Sequence, residues 1–190
     1  ASYGQECIQA LLWDEDGAEL TFHVTNDQAG NAWSSSVFEL TAANERWADH
    51  QRPRQAGQLH LQASRLDTLA TRHPALRRNF THLVLDVQGA ELSVLRGMGE
   101  LLWQLPLQKA IIESSGVELY AGQPLQAEVV RFMRAAGYDC IKNCACDFHC
   151  DAEFVRSTVS SVDRASVAAT DRSDSRRASV NPAASAPLQA

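Results

Sequence analysis

No apolar run in this 190-residue chain approaches the roughly 20 residues that a membrane-spanning helix needs. The first residues, ASYGQECIQ, have neither the basic start nor the apolar stretch of a secretory signal. Basic charge is in deficit: 17 Lys and Arg stand against 23 Asp and Glu, a formal net charge of −6. That balance disfavours a general binder of nucleic acid or of an anionic membrane surface. No serine lies in a G-x-S-x-G elbow and no histidine accompanies an evident nucleophile, which weakens a hydrolase reading. Paired C-x-x-C spacing is missing too. The five cysteines are an odd number, and a reducing compartment is favoured over secretion.

What the chain does have is enough apolar content for one core, 45% of its residues. Its most informative segment reads LVLDVQGAEL, beginning at Leu83. A continuous apolar run ends in the carboxylate of Asp86, meets Gly89 and turns into a helical pattern. Strands without polar alternation suit a parallel sheet covered on both faces. In such sheets ligands bind beyond the carboxyl ends of the strands, so Asp86 is expected to face a crevice. A second apolar strand, Ala110-Ile111-Ile112, runs into Glu113 and the polar loop Ser114-Ser115-Gly116. Unpaired carboxylates are seldom buried, and two of them at strand ends point to a ligand. The plainer alternative is a helix cap for Asp86 and an arginine partner for Glu113.

Along the chain, residues 7–13 and 19–25 are predicted as strands of one hairpin, with Leu20, Phe22 and Val24 on the inner face. Residues 26–58 read as a long irregular excursion over the substrate side, a length that is usually functional or disordered. Further strands are expected at 58–63, 82–87, 109–113, 138–141 and 153–155, the last two as a hairpin. Short helices are expected from Leu66 and around Leu92, Leu95 and Met98. Leu125, Val129, Phe132, Met133 and Ala136 form one helical stripe, with Pro124 at its first position and Gly137 at its stop. Phe132 and Met133 read as core. Glu91 falls in the first turn of the helix after Asp86, where a carboxylate suits the helix dipole.

From residue 157 onward the composition changes. Sixteen of the last 34 residues are serine or alanine and none is aromatic, so the segment is expected to be a disordered tail. Its RRAS stretch, ending at Ser179, resembles a basophilic kinase site. Cys140, Cys144, Cys146, His149 and Cys150 crowd together. Thiolates and imidazole suit zinc, but spacings of four, two and four do not match a paired zinc site. Reduced or locally oxidised thiols are the favoured reading, and no metal site is assigned.

The segments SRLDTL, DVQGAELSVLRGM and IIESSGVELYAGQP, in that order, resemble the FkbM-type methyltransferases. The resemblance covers residues 7–156 and implies an α/β, Rossmann-like class I methyltransferase fold. It implies a domain over 1–156, a tail over 157–190, and S-adenosyl-L-methionine as methyl donor. It also implies a sheet in which the chain starts just before the third strand, so that the fold is expected to be incomplete at its amino-terminal side. The donor's glycine-rich turn after a first strand, and the acidic end of a second, are not found. On that expectation residues 7–13 lack a neighbouring strand, and the strand before Asp86 becomes an apolar sheet edge.

Under the same resemblance Asp86 and Glu113 are the catalytic candidates, as proton acceptors or hydrogen-bond acceptors for a substrate hydroxyl. Ala10, taken as the end of the third strand, Asp86 and Val87 are expected near the donor. Ser35, Ser36, Tyr120 and Gln123 are expected to contact the acceptor, a small molecule or sugar with a hydroxyl group. A non-catalytic α/β binding module is the alternative from a different class. No nucleic-acid or membrane partner is expected.

Overall fold

The structure is a computed structural model, and it describes residues 7–77 and 80–158. Strands β1 (Leu11–Leu12), β2 (Glu19–Asn26) and β3 (Arg54–Ser64) form a sheet in the order β1-β3-β2. Strands β4 (His82–Leu85), β5 (Lys109–Ser115), β6 (Tyr138–Lys142) and β7 (His149–Arg156) form a second, in the order β4-β5-β7-β6. Helices α1 (Leu66–Arg72), α2 (Glu91–Gly97), α3 (Leu101–Gln104) and α4 (Gln126–Ala135) complete a mixed α/β unit. The chain divides into units Ala1–Ser157 and Thr158–Ala190, and these elements all belong to the first. The expected tail beyond Thr158, with the RRAS stretch, lies outside the described residues.

The expected hairpin between the first two strands does not form. β1 pairs in parallel with the end of β3, Leu11 opposite Ala63, while β2 runs antiparallel along the other edge of β3. Only Leu11 and Leu12 are strand, and the rest of residues 7–13 is not. Nor does β2 bury the face its apolar residues suggested: His23 and Thr25 are buried, and Leu20, Phe22 and Val24 are half-buried. Residues 34–36 account for this, because they pair along β2. His23 and Ser36 exchange backbone hydrogen bonds of 2.6 and 3.1 Å, and the Thr25 N–H donates to Ser35 Oγ at 3.0 Å.

In the second sheet β4 pairs in parallel with β5, Leu85 opposite Ile112, and has no other strand beside it among the described residues. The expected cover on both faces is therefore incomplete. Leu85 is buried, but Val84 is 68% exposed. β4 is thus an apolar edge strand among the described residues, whereas Leu11 and Leu12, expected to have no neighbouring strand, pair with the end of β3.

The core lies between this sheet and its helices: Leu92 and Leu95 from α2, Met98 at its end, Val129 and Met133 from α4, and Ile112, Ala152 and Phe154 from the strands. A buried aliphatic or aromatic side chain contributes about 1.5–3 kcal/mol through burial alone. Helix α4 starts two residues later than its proline suggested, at Gln126. Leu125 is extended and is the cap, with its N–H donating to Glu128 Oε2 at 2.9 Å. The pair Gly97 and Gly99 frames the one G-x-G of the chain, and it closes α2 instead of following a strand. A Cβ on Gly97 would stand 2.1 Å from the Trp13 carbonyl oxygen, so glycine lets α2 lie against the end of β1.

Candidate functional site

Beyond the carboxyl end of β4 the backbone turns through two left-handed residues, Gln88 (φ 53°) and Gly89 (φ 95°), before α2 begins. Left-handed φ is uncommon for a residue other than glycine and tends to mark sites where geometry is held by its surroundings. Gln88 is held on every polar atom of its side chain. Its Nε2 donates to Asp86 Oδ1 at 2.5 Å and to Glu113 Oε2 at 2.6 Å. Its Oε1 accepts from the Tyr120 hydroxyl at 2.7 Å, and its carbonyl accepts from Ser36 Oγ at 2.6 Å. Through its side-chain amide and its carbonyl, Gln88 thus joins the end of β4 and Glu113 of β5 to the 34–36 and 118–123 loops.

Glu113 is inside β5 and does not end it. The strand continues through Ser114 and Ser115 because β7 pairs with it as far as Ser115 opposite His149. Glu113 and His149 are diagonal neighbours across this antiparallel pair, a spacing that longer side chains bridge. His149 Nε2 lies 3.1 Å from Glu113 Oε1. The plainer expectation of an arginine partner is replaced by this histidine, which the β6–β7 hairpin delivers. Trp47 packs edge-on to the His149 ring at 5.2 Å and against Phe148 at 5.3 Å. Trp47 follows a 3-10 turn (Ala42–Arg46) anchored by Asn44, whose Nδ2 donates to the Leu119 carbonyl at 2.6 Å.

Gln88, Glu113, Tyr120, Gln123, Trp47 and His149 line a cavity of about 20 Å³, room for about one water. Glu91 also lines it and is 4% exposed. Its Oε1 accepts from the N–H groups of Val87 at 3.0 Å and Gly89 at 3.2 Å, closing the turn that precedes its own helix. The helix-start role expected of Glu91 is therefore carried by hydrogen bonds inside the structure. Burial lifts its carboxyl to about 7, against the pull of those backbone donors. Burial also raises Glu113, with Asp86 adding to the rise and His149 opposing it. The Glu113 carboxylate raises His149 above the ordinary imidazole value. Burial raises the Tyr120 hydroxyl, so it remains a donor at neutral pH.

The structure brings together Asp86, Glu113, Tyr120 and Gln123. Asp86 is solvent-exposed at the rim, and Gln123 is buried, its Oε1 accepting from the Tyr120 N–H at 2.8 Å. Ser35 and Ser36 have their hydroxyls committed to the loop itself. Ser35 Oγ donates to the Ala32 carbonyl at 2.8 Å, and Ser36 Oγ, besides its bond to Gln88, accepts from the Phe38 N–H at 3.0 Å. Ser34 lines the cavity in their place. Ala10, expected to end a strand, precedes β1 and is exposed. Gln88, His149 and Trp47 were not singled out as site residues. A glutamine before glycine at a strand end was the one local signal for Gln88; the other two arrive through long-range pairing.

Four of the crowded cysteines sort into a disulfide, Cys140–Cys144, and two thiols, Cys146 and Cys150. Among the described residues no group of three or more His, Cys, Asp and Glu is set to hold a metal ion.

The donor expected from the resemblance fits these residues in part. Asp86 offers an exposed carboxylate at the carboxyl end of β4, beside the half-buried Val87, suited to a hydroxyl or amino group. Ala10 gives no enclosing wall, and the cavity at Gln88 is smaller than a nucleoside.

No curated protein and no solved structure matches the chain. Residues 4–140 match the family model of the Methyltransferase FkbM domain, which takes in the β4–α2 turn and the strand carrying Glu113. With most of its length matched, and the paired carboxylates inside the matched region, the chain belongs to the FkbM methyltransferase-domain family.

Proposed function

We propose that the protein is an S-adenosyl-L-methionine-dependent O-methyltransferase acting on a hydroxyl of a small molecule or sugar. One observation carries this reading: Asp86 and Glu113, at adjacent parallel strands, share the single Gln88 amide beside the lined cavity. Two carboxylates held on one donor form a fixed pair of hydrogen-bond acceptors, suited to orienting a hydroxyl. The donor supplies an electrophilic methyl group when bound, with Asp86 and Val87 on its side of the turn. Glu113, buried one strand further in, orients the acceptor oxygen or receives its proton. Tyr120 and Gln123 shape the acceptor side, and Ser35 and Ser36 support it through the loop they brace. The acidic balance of the chain disfavours nucleic acid and anionic membrane as partners. No helix among the described residues is long and apolar enough to cross a membrane.

The test is transfer of labelled methyl from S-adenosylmethionine to a panel of hydroxylated sugars and small molecules. The wild-type protein and the Asp86→Asn and Glu113→Gln variants are compared. Label in an ether product, lost at least about tenfold in both variants, is the expected result. Label found on nitrogen or carbon acceptors alone would overturn the reading.

A further inference from the structure

We propose that His149 is the proton acceptor for the substrate hydroxyl, with Glu113 behind it as the group that orients and charges the ring. This rests on the O-methylation reading and names the residue that the reading leaves open. Four observations converge. His149 Nε2 is 3.1 Å from Glu113 Oε1, so in the neutral ring the Nε2 hydrogen is directed to the carboxylate. That tautomer leaves Nδ1 with its lone pair, and Nδ1 has no hydrogen-bond partner among the described residues. His149 lines the same cavity as Gln88 and Tyr120. Trp47, packed edge-on at 5.2 Å, holds the ring plane. A carboxylate that holds one imidazole nitrogen and leaves the other to take a proton is the arrangement of hydrolytic triads, here without a nucleophile.

Asp86 is a weaker proton acceptor on this geometry. Its carboxylate is exposed to water and already accepts the Gln88 amide, so it is neither enclosed with the acceptor nor free of another donor. Glu113 has one oxygen on Gln88 and the other on His149, which leaves it better placed to stabilise a charge than to take a proton itself. In the step, the substrate O–H bond breaks and its proton passes to Nδ1. The electron pair stays on the oxygen, which bonds to the methyl carbon of a sulfonium donor as the carbon–sulfur bond breaks. The sulfur takes that bond's electrons and leaves as a neutral thioether. The imidazolium that results is held by the Glu113 carboxylate.

Charged groups facing the ring come from three elements. Glu113 on β5, Asp86 after β4, and Asp151 on β7 itself all favour the protonated ring, whereas burial opposes it. Arg46 stacks on the neighbouring Phe148 at 4.3 Å, not on His149. The histidine therefore titrates above the usual imidazole value, and the neutral, proton-accepting form predominates only above that raised value.

The experiment has two readouts. The imidazole NMR signals of the full chain are followed against pH in wild type and Glu113→Gln, with His149→Asn assigning the signal by its loss. The expected signal titrates above the ordinary imidazole value of 6.5 in wild type and moves down in Glu113→Gln. A His149 signal at or below that value, or one unmoved by Glu113→Gln, overturns the pairing. In the methyl-transfer assay His149→Asn and His149→Gln are expected to lose at least about tenfold in kcat with KM little changed. Glu113→Gln is expected to move the acid limb of the pH profile downward while lowering its plateau. Hydroxyl methylation that survives both His149 variants sinks this proposal alone. No transfer by folded wild-type protein to any hydroxyl acceptor sinks the O-methylation reading, and the proposal with it.

Discussion

Gln88 and Glu113 meet through a 2.6 Å hydrogen bond from the amide Nε2 to Oε2, and the same nitrogen reaches Asp86 on the other side. The amide separates two carboxylates, Asp86 after β4 and Glu113 within β5, that would otherwise repel. Removing it leaves both charges without their common donor. Gln88→Ala is therefore expected to reduce methyl transfer by about 100-fold, the scale on which misplaced groups cost rate. A stability loss of about 2 kcal/mol in denaturant unfolding should accompany it. Gln88→Asn tolerates the left-handed backbone equally well but is one methylene shorter. If it behaved like wild type, backbone conformation and not the amide's reach would be the property that matters.

Glu91 makes stability fall as pH rises. Its carboxyl is lifted from 4.5 to about 7 in the folded protein, chiefly by burial. Between those values the folded state holds a proton that the unfolded chain has released. The contribution is intact below about 4.5 and lost by the time pH passes about 7, amounting to about 3 kcal/mol in this window. Glu91→Gln keeps an acceptor oxygen for the Val87 and Gly89 N–H groups and removes the titration. Unfolding free energies measured from pH 4.5 to 8 should decline in wild type relative to the variant. Parallel curves would contradict the burial argument.

Local pattern made much of this architecture legible. The apolar stretches at β4 and β5, the stripe of α4 and the β6–β7 pairing follow from periodicities of two and 3.6 residues and from the glycine and proline positions. Asp86 and Glu113 were legible because a charge ending an apolar run is locally anomalous. What local pattern does not carry is pairing between distant segments. β1 and β2 flank β3 instead of each other, an arrangement set by pairing with residues about 30–50 positions downstream. His149 reaches Glu113 only because β7 inserts between β5 and β6. Ser35 and Ser36 looked like pocket hydroxyls, but the loop uses them to satisfy its own backbone and that of Gln88.

Gly116 controls how closely the β6–β7 hairpin docks. A Cβ there would stand 1.7 Å from the Cys146 carbonyl oxygen, while the Gly116 N–H donates to the Phe148 carbonyl at 2.9 Å. Neither neighbour is a side-chain end that swings aside. Gly116→Ala is expected to cost about 2 kcal/mol and to draw His149 away from Glu113. Thermal unfolding measures the first effect. A downward shift of the His149 imidazole titration measures the second, and a variant with the wild-type titration would show that the hairpin accommodates the methyl group.

The Cys140–Cys144 disulfide closes a loop of sequence separation 4 near the tip of the same hairpin. Loop closure this short restricts the unfolded chain little, about 2 kcal/mol in the chain-entropy account. The double variant Cys140→Ser, Cys144→Ser should therefore fold and unfold cooperatively with only that loss. Collapse of the fold would mean that the disulfide holds the hairpin in place, a role its short loop does not suggest.

Trp47 closes the cavity from the excursion that precedes β3. It packs against Phe148 at 5.3 Å and His149 at 5.2 Å, and its backbone N–H donates to the Asn44 carbonyl at 3.2 Å. Each aromatic pair contributes about 0.5–1.5 kcal/mol beyond its burial. Trp47→Ala removes both pairs and opens one wall, whereas Trp47→Phe keeps an aromatic face. The alanine variant should raise KM for the hydroxyl acceptor at least about fivefold, and the phenylalanine variant should recover most of that loss. Because Trp47 carries no titratable group, the pH at which His149 loses its proton should move less in either variant than in Glu113→Gln. A larger movement in Trp47→Ala would mean that ring packing, more than the carboxylate, sets the charge on His149.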